Sequence, residues 1–164
     1  MTQSSRPQRL TTCLWFADQA EQAANHYTSI FPDSRILGAT RWGEGGYGPP
    51  GSVIEVTFEI CGQRFLALNG ATVEFTEAVS VMVDCATQAE IDRMWDRLVD
   101  GGEPSQCGWL KDRFGVSWQI VPPRLIELMR DPDPVKAKAV IDAMMPMQKL
   151  DIARLEEAHA QARS

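Results

Sequence analysis

The chain has 164 residues, of which 44% are apolar and 23% charged, so it falls in the one-domain range and can bury a proper core. A net charge of −6 with sixteen Lys and Arg and no basic stripe argues against nucleic acid, and no such partner is expected. The purely apolar stretches, such as Val81-Met82-Val83, are too short for a signal sequence or a membrane span, so the expectation is a cytoplasmic protein without a membrane partner.

Four cysteines, Cys13, Cys61, Cys85 and Cys107, lie far apart without a Cys-x-x-Cys pair, and only His26 and His159 could complete a zinc set. Free thiols rather than disulfides or structural zinc are expected in a chain of this length.

Residues 11–16 are β-prone and run into Ala17-Asp18, where Asp18 suits a helix N-cap. Ala20, Ala23, Ala24, Tyr27 and Ile30/Phe31 then recur at helical spacing until Pro32-Asp33. Strands are expected over 35–42 and 53–60, separated by a flexible loop at 43–51. A tight Cys61-Gly62 turn leads to a hairpin partner at 63–69. The order repeats: a strand over 78–85, then a helix capped by Thr87 with the apolar face Ile91, Met94/Trp95 and Leu98. A closing hairpin over 103–111 and 116–121 turns at Asp112-Arg113-Phe114-Gly115. After Pro122-Pro123, three short amphipathic helices follow, the second opened by Asp133-Pro134.

The fold class is therefore α+β: two βαβββ modules, about 10–72 and 77–122, forming a cupped mixed sheet within 1–122, and a C-terminal helical extension at 123–164. Gln-Ala-Glu opens both helices, at 19–21 and 88–90, an echo of the repeated unit. The extension carries enough apolar surface that it must pack on the domain or on a second chain, and a homodimer contact is the expectation.

Gly43-Glu44-Gly45-Gly46-Tyr47-Gly48 satisfies the spacing of a dinucleotide-binding loop. Such a loop must open a helix whose amides hold the phosphate, whereas here Pro49-Pro50-Gly51 and a strand follow. No nucleotide cofactor is expected.

Three stretches carry a family resemblance: Thr11-Thr12-Cys13-Leu14-Trp15-Phe16 running into Gln19-Ala20-Glu21-Gln22-Ala23, residues 65–70, and above all 105–119 with Gly108-Trp109-Leu110-Lys111-Asp112-Arg113-Phe114-Gly115 at its centre. With the Met147-Gln148-Lys149-Leu150-Asp151 tail they resemble, from end to end, the PhnB-like branch of the vicinal oxygen chelate superfamily, often labelled 3-demethylubiquinone 3-methyltransferase. The resemblance implies a cytoplasmic dimer of paired βαβββ modules around a cupped cavity, in a superfamily that includes glyoxalases, extradiol dioxygenases and antibiotic-resistance proteins. A methyl-transfer domain of Rossmann type needs a parallel sheet of alternating strands and helices, which this element order does not offer.

Superfamily enzymes usually hold a divalent metal through His, Glu or Asp on the first and last strands of each module. The corresponding positions here are about Thr11, Asn69, Ala78 and Gln119, none a carboxylate or imidazole, so no metal and no cofactor are expected. A one-residue slip would bring in Thr12 and Glu77 instead.

If Gln119 points inward, alternation brings Ser117 and Val121 with it, and the partner strand presents Cys107, Trp109 and Lys111. With Asn69 and Trp15 or Leu14 they make an amphipathic pocket for a small aromatic or amphipathic molecule. The expected substrate-binding set is Trp15, Asn69, Cys107, Trp109, Ser117 and Gln119. Cys107 is also the one candidate catalytic nucleophile, without a histidine nearby in sequence. Asp112 and Arg113 are expected to occupy a turn whose backbone Asp112 organises, and Glu55 and Glu59 to lie on a solvated face. Two readings follow: a metal-free binding protein, or a glyoxalase- or dioxygenase-like lyase or isomerase using a divalent metal or Cys107.

Overall fold

A computed structural model describes residues 9–70 and 72–163, which fall into two compact units divided between Glu74 and Phe75. In the first unit, β1 (Thr12–Phe16) leads into α1 (Ala20–Ile30), then β2 (Arg35–Arg41), β3 (Val53–Ile60) and β4 (Gln63–Asn69). The strands order β1-β4-β3-β2, with β1 parallel to β4 and the other pairs antiparallel.

Alternation in these strands sends Leu14, Phe16, Val56, Phe58, Phe65 and Ala67 to the face that packs on α1. The helix meets them with Ala20, Ala23 and Ala24, whose small side chains allow close approach, and with Tyr27, which lies 6.1 Å from Phe58. Phe58 stacks in turn on Phe65 at 5.4 Å. Positive φ at both Cys61 (47°) and Gly62 (80°) makes the two-residue turn that joins β3 to β4.

One boundary differs from the sequence reading. Asp18 is not the N-cap of α1; Gln19 holds that position without a side-chain bond, and the Asn69 Oδ1 on β4 accepts the Ala20 N–H instead, at 2.8 Å. A strand end supplies the cap that a local residue usually supplies.

The second unit repeats the order: β5 (Val81–Asp84), α2 (Gln88–Val99), β6 (Glu103–Pro104), β7 (Trp109–Lys111) and β8 (Ser117–Val121), with the sheet ordered β5-β8-β7-β6 and β5 parallel to β8. Thr87 and Glu90 form a reciprocal capping box at the start of α2. The helix buries Ile91, Met94, Trp95 and Leu98, and the sheet buries Leu110, Trp118 and Ile120. Asp112 is buried in the β7–β8 turn and accepts from the backbone N–H groups of Phe114 and Val116 and from Trp118 Nε1, at 2.8, 3.0 and 2.8 Å. The turn-organising role expected of it is what these bonds describe.

β5 is shorter than the expected 78–85, and the strand expected over 103–111 is broken at 105–108. The break has a physical cause. Cys107 (φ 59°) and Gly108 (φ 83°) leave the extended region, and their backbone N–H groups donate to Met147 and Gln148 carbonyls instead of to a neighbouring strand. A side chain at Gly108 would come within 2.7 Å of the Ile120 carbonyl oxygen.

The extension forms α3 (Pro123–Met129), α4 (Pro134–Met144) and α5 (Ile152–Gln161), the last two capped by Asp133 and Asp151. Leu125, Leu128, Val140, Met147, Leu150 and Leu155 cluster with Val121 at the end of β8. Gln88 fastens the extension to α2 by donating to the Leu150 carbonyl (3.0 Å) and accepting from Ile152 N–H (3.0 Å). The extension thus packs on its own unit. The chain is α+β, with two strand-helix-strand-strand-strand units and C-terminal helices, and none of its described helices is long and apolar enough to cross a membrane.

Candidate functional site

Each sheet has a face turned away from its helix, and the register decides what stands on it. In the second unit Trp109 is opposite Gln119 and Lys111 opposite Ser117, while Leu110 and Trp118 share the other, helix-covered face. Trp109, Lys111, Ser117 and Gln119 therefore stand side by side. Gln119 Nε2 donates to Ser80 Oγ at 2.8 Å, which fixes the amide, and Lys111 Nζ pairs with Glu77 at 3.2 Å. Ser117 is only 2% exposed, yet its hydroxyl has no hydrogen-bond partner among the described residues. A buried hydroxyl without a partner forgoes about 1–3 kcal/mol, so its presence on this face asks for a ligand or water.

In the first unit the corresponding face carries Trp15, opposite Leu68 and thus in one row with Glu55, and Cys13, in one row with Leu66 and Thr57. Trp15 is 46% exposed and its Nε1 reaches the Asn69 carbonyl at 3.4 Å. Glu55, assigned by sequence to a solvated face, is half-buried here and accepts from Thr40 Oγ1 at 2.7 Å. Partial burial and the neighbouring Glu55 charge both raise the Cys13 thiol above its ordinary value, so it stays protonated.

Two expected pocket residues stand elsewhere. Asn69 pairs in register with Phe16 and faces α1, and both ends of its amide are used: Oδ1 by Ala20 N–H, and Nδ2 in a 3.1 Å bond to the Val53 carbonyl. It is a structural clamp. Cys107 precedes β7 in a left-handed turn, so alternation never brings it beside Trp109. Its thiol points to the Met144 and Met145 carbonyls, both at 3.9 Å. Sequence reasoning also missed Ser80, because 78–80 was read as strand interior instead of the lead-in from which its hydroxyl reaches Gln119.

The first unit also holds a cleft of about 650 Å³ at the N-terminal end of α1, lined by Asp18, Glu21, Arg41, Trp42, Tyr47 and Asn69 among others. The glycine-rich segment forms its rim. Trp42 N–H donates to the Ser52 carbonyl (2.9 Å) and Gly51 N–H to the Trp42 carbonyl (2.7 Å), closing the loop on itself. A Cβ at Gly46 or Gly48 would lie 2.7 or 2.4 Å from the Trp42 ring. Those two glycines are there because the backbone lies against an indole, and the loop is shaped by that packing.

The donor set does not fit a divalent cation. Among the described residues no three His, Cys, Asp or Glu side chains come together as a metal ion would require. Of the four positions considered from sequence, Asn69 and Gln119 are amides already bonded within the protein, and Thr11 and Ala78 are weak or non-donors. The slipped register fares no better: Thr12 pairs with Phe65 on the α1 side, and Glu77 is held by Lys111.

Two βαβββ units, each a mixed four-stranded sheet with one helix-covered face and one turned away from the helix, define a protein of the vicinal oxygen chelate superfamily. Residues 8–121 match the family model described as 3-demethylubiquinone-9 3-methyltransferase, and the chain belongs to that PhnB-like family. The PhnB protein from Bacillus cereus is 38% identical, with 70% of this chain and 99% of that one covered at a TM-score of 0.65. Protein PA1353 from Pseudomonas aeruginosa (17% identity, 70% and 97% covered, TM-score 0.59) shares the fold. So does the fosfomycin resistance protein FosX from Listeria monocytogenes, solved with Mn(II) and sulfate (15% identity, 69% and 89% covered, TM-score 0.51). A comparison with curated proteins found no match. The family match stops at residue 121, so the Met147–Asp151 tail, which the sequence reading included in the resemblance, lies outside it.

Proposed function

We propose that this PhnB-like protein binds a small aromatic or amphipathic molecule at the face of its second sheet that turns away from α2, without a metal ion. The observation that carries the reading is the buried, unpartnered Ser117 hydroxyl in register with Lys111 and beside Trp109 and Gln119. An indole wall, a fixed amide and a hydroxyl lacking a partner are what a flat molecule with a polar edge requires. The methyltransferase in the family description finds no support in the topology, since each sheet here mixes parallel and antiparallel pairs and neither alternates strand and helix around a parallel core.

The same reading has the protein acting in the cytoplasm as a homodimer. Pairing is supported by β2, an edge strand exposed along its whole length that presents Ile36 and Leu37 to solvent.

The test is ¹⁹F NMR of protein labelled with 5-fluorotryptophan, which gives one resonance for each of the five tryptophans. Trp109 is assigned by a Trp109→Phe variant. Titration with phenols, aromatic acids and quinones should move the Trp109 resonance saturably for at least one class. A panel that leaves Trp109 unmoved rejects the reading.

A further inference from the structure

The cleft at the start of α1 shares no residue with the face proposed above, and its chemistry is different. Glu21 and Arg41 form an ion pair, and Arg41 also donates to the Gly51 carbonyl at 3.2 Å, so these two charges are spent on holding the loop to the helix. Asn69 is spent as well. Asp18, displaced from the capping role, makes no hydrogen bond or ion pair among the described residues and lines the cleft as its one uncompensated charge. Across from these polar groups stand two aromatic rings, Trp42 and Tyr47, in edge contact at 5.9 Å. Tyr47 is fully exposed, at 101%. The cleft thus combines an aromatic ring held out in water with an unpaired carboxylate among its lining residues, and a volume of about 650 Å³ admits a molecule of two or three rings.

From this juxtaposition we infer that the cleft is a second ligand site, which takes an organic cation carried on a flat ring. The ring lies against Trp42 and Tyr47, whose faces attract positive charge, and the ammonium pairs with Asp18. An anion has no such place, because the Arg41 guanidinium is already held by Glu21 and by the loop backbone. The six-residue glycine motif takes its meaning here: it wraps Trp42 and sets Tyr47 at the rim, and it cradles no phosphate.

Tryptamine, 3-methylindole and indole-3-acetate present one ring system with positive, neutral and negative charge, and the backbone amides of 43–52 report the site in ¹H–¹⁵N spectra. Tryptamine should shift those amides saturably and bind more tightly than either analogue. Asp18 and Tyr47 are both exposed, so their variants keep the fold. Asp18→Asn should weaken tryptamine roughly two- to fivefold, the range of an exposed ion pair. Tyr47→Ala should weaken it by a similar factor, as loss of an exposed cation–π contact does. Asp18→Lys should reverse the preference toward indole-3-acetate. Equal binding of the three probes, or shifts confined to residues outside 43–52 and the start of α1, would overturn the proposal, as would tryptamine affinity unchanged in Asp18→Lys.

Discussion

Asn69 at the end of β4 caps α1 by accepting the Ala20 N–H at 2.8 Å, although 49 residues separate the two in sequence. The bond joins the last strand of the first unit to its helix, and the Asn69 amide at the same time bridges to the start of β3 through the Val53 carbonyl. Asn69→Ala should therefore cost about 1–2 kcal/mol, as loss of a cap does. For a chain of this size that lowers Tm by roughly 2–4 °C per kcal/mol. Asn69→Asp keeps the acceptor for Ala20 and should recover part of the loss. Thermal melts of the three proteins decide it, and equal Tm values would show that the clamp contributes nothing.

Asp112 is the buried counterpart in the second unit. Its carboxylate accepts two backbone N–H groups and the Trp118 indole, and 3% exposure leaves water little access to replace it. Asp112→Ala leaves those donors without an acceptor and should cost about 2–4 kcal/mol, a large share of the stability of a domain. Urea unfolding followed by tryptophan emission should show the lower midpoint, and a midpoint within error of the parent would contradict the account of the turn.

The extension carries an acid-sensitive latch. The Asp133 backbone N–H and then the His159 side chain, 2.7 Å away, hold the Asp131 carboxyl below its ordinary value. A folded value below the unfolded one, about 3.9, means that the contribution is present above that pH and is lost as pH falls through the folded value. Asp131→Asn should therefore be less stable than the parent at pH 6, with the gap closing as pH falls below about 4. Denaturant midpoints across that range check the sign, and a gap that widens on acidification would refute it.

Much of this architecture is legible in the sequence because it is local. The Thr87-to-Glu90 capping box, the Cys61-Gly62 turn, the Asp133-Pro134 helix start and the alternation of 53–60 are each written within a few residues. The placement of Trp109, Ser117 and Gln119 on one face is also a matter of alternation, and the register agrees with it. What the sequence does not show depends on contacts between distant residues. Nothing near Asn69 announces that it caps a helix 49 positions away. Cys107 loses its strand alternation because its N–H and that of Gly108 donate to the Met147 and Gln148 carbonyls, which belong to the extension. The glycine motif reads as a phosphate loop until Trp42 is seen lying against it.

Ser117→Ala tests the central claim most directly, because the hydroxyl has no partner among the described residues. Without ligand the variant should be as stable as the parent or slightly more so, since it removes a buried polar group that lacks a bond. For whichever aromatic ligand moves the Trp109 resonance, its affinity should fall by about two- to tenfold, the worth of one neutral hydrogen bond. A variant that is clearly less stable without ligand, or that binds the ligand as tightly as the parent, would contradict the assignment of this face as the binding site.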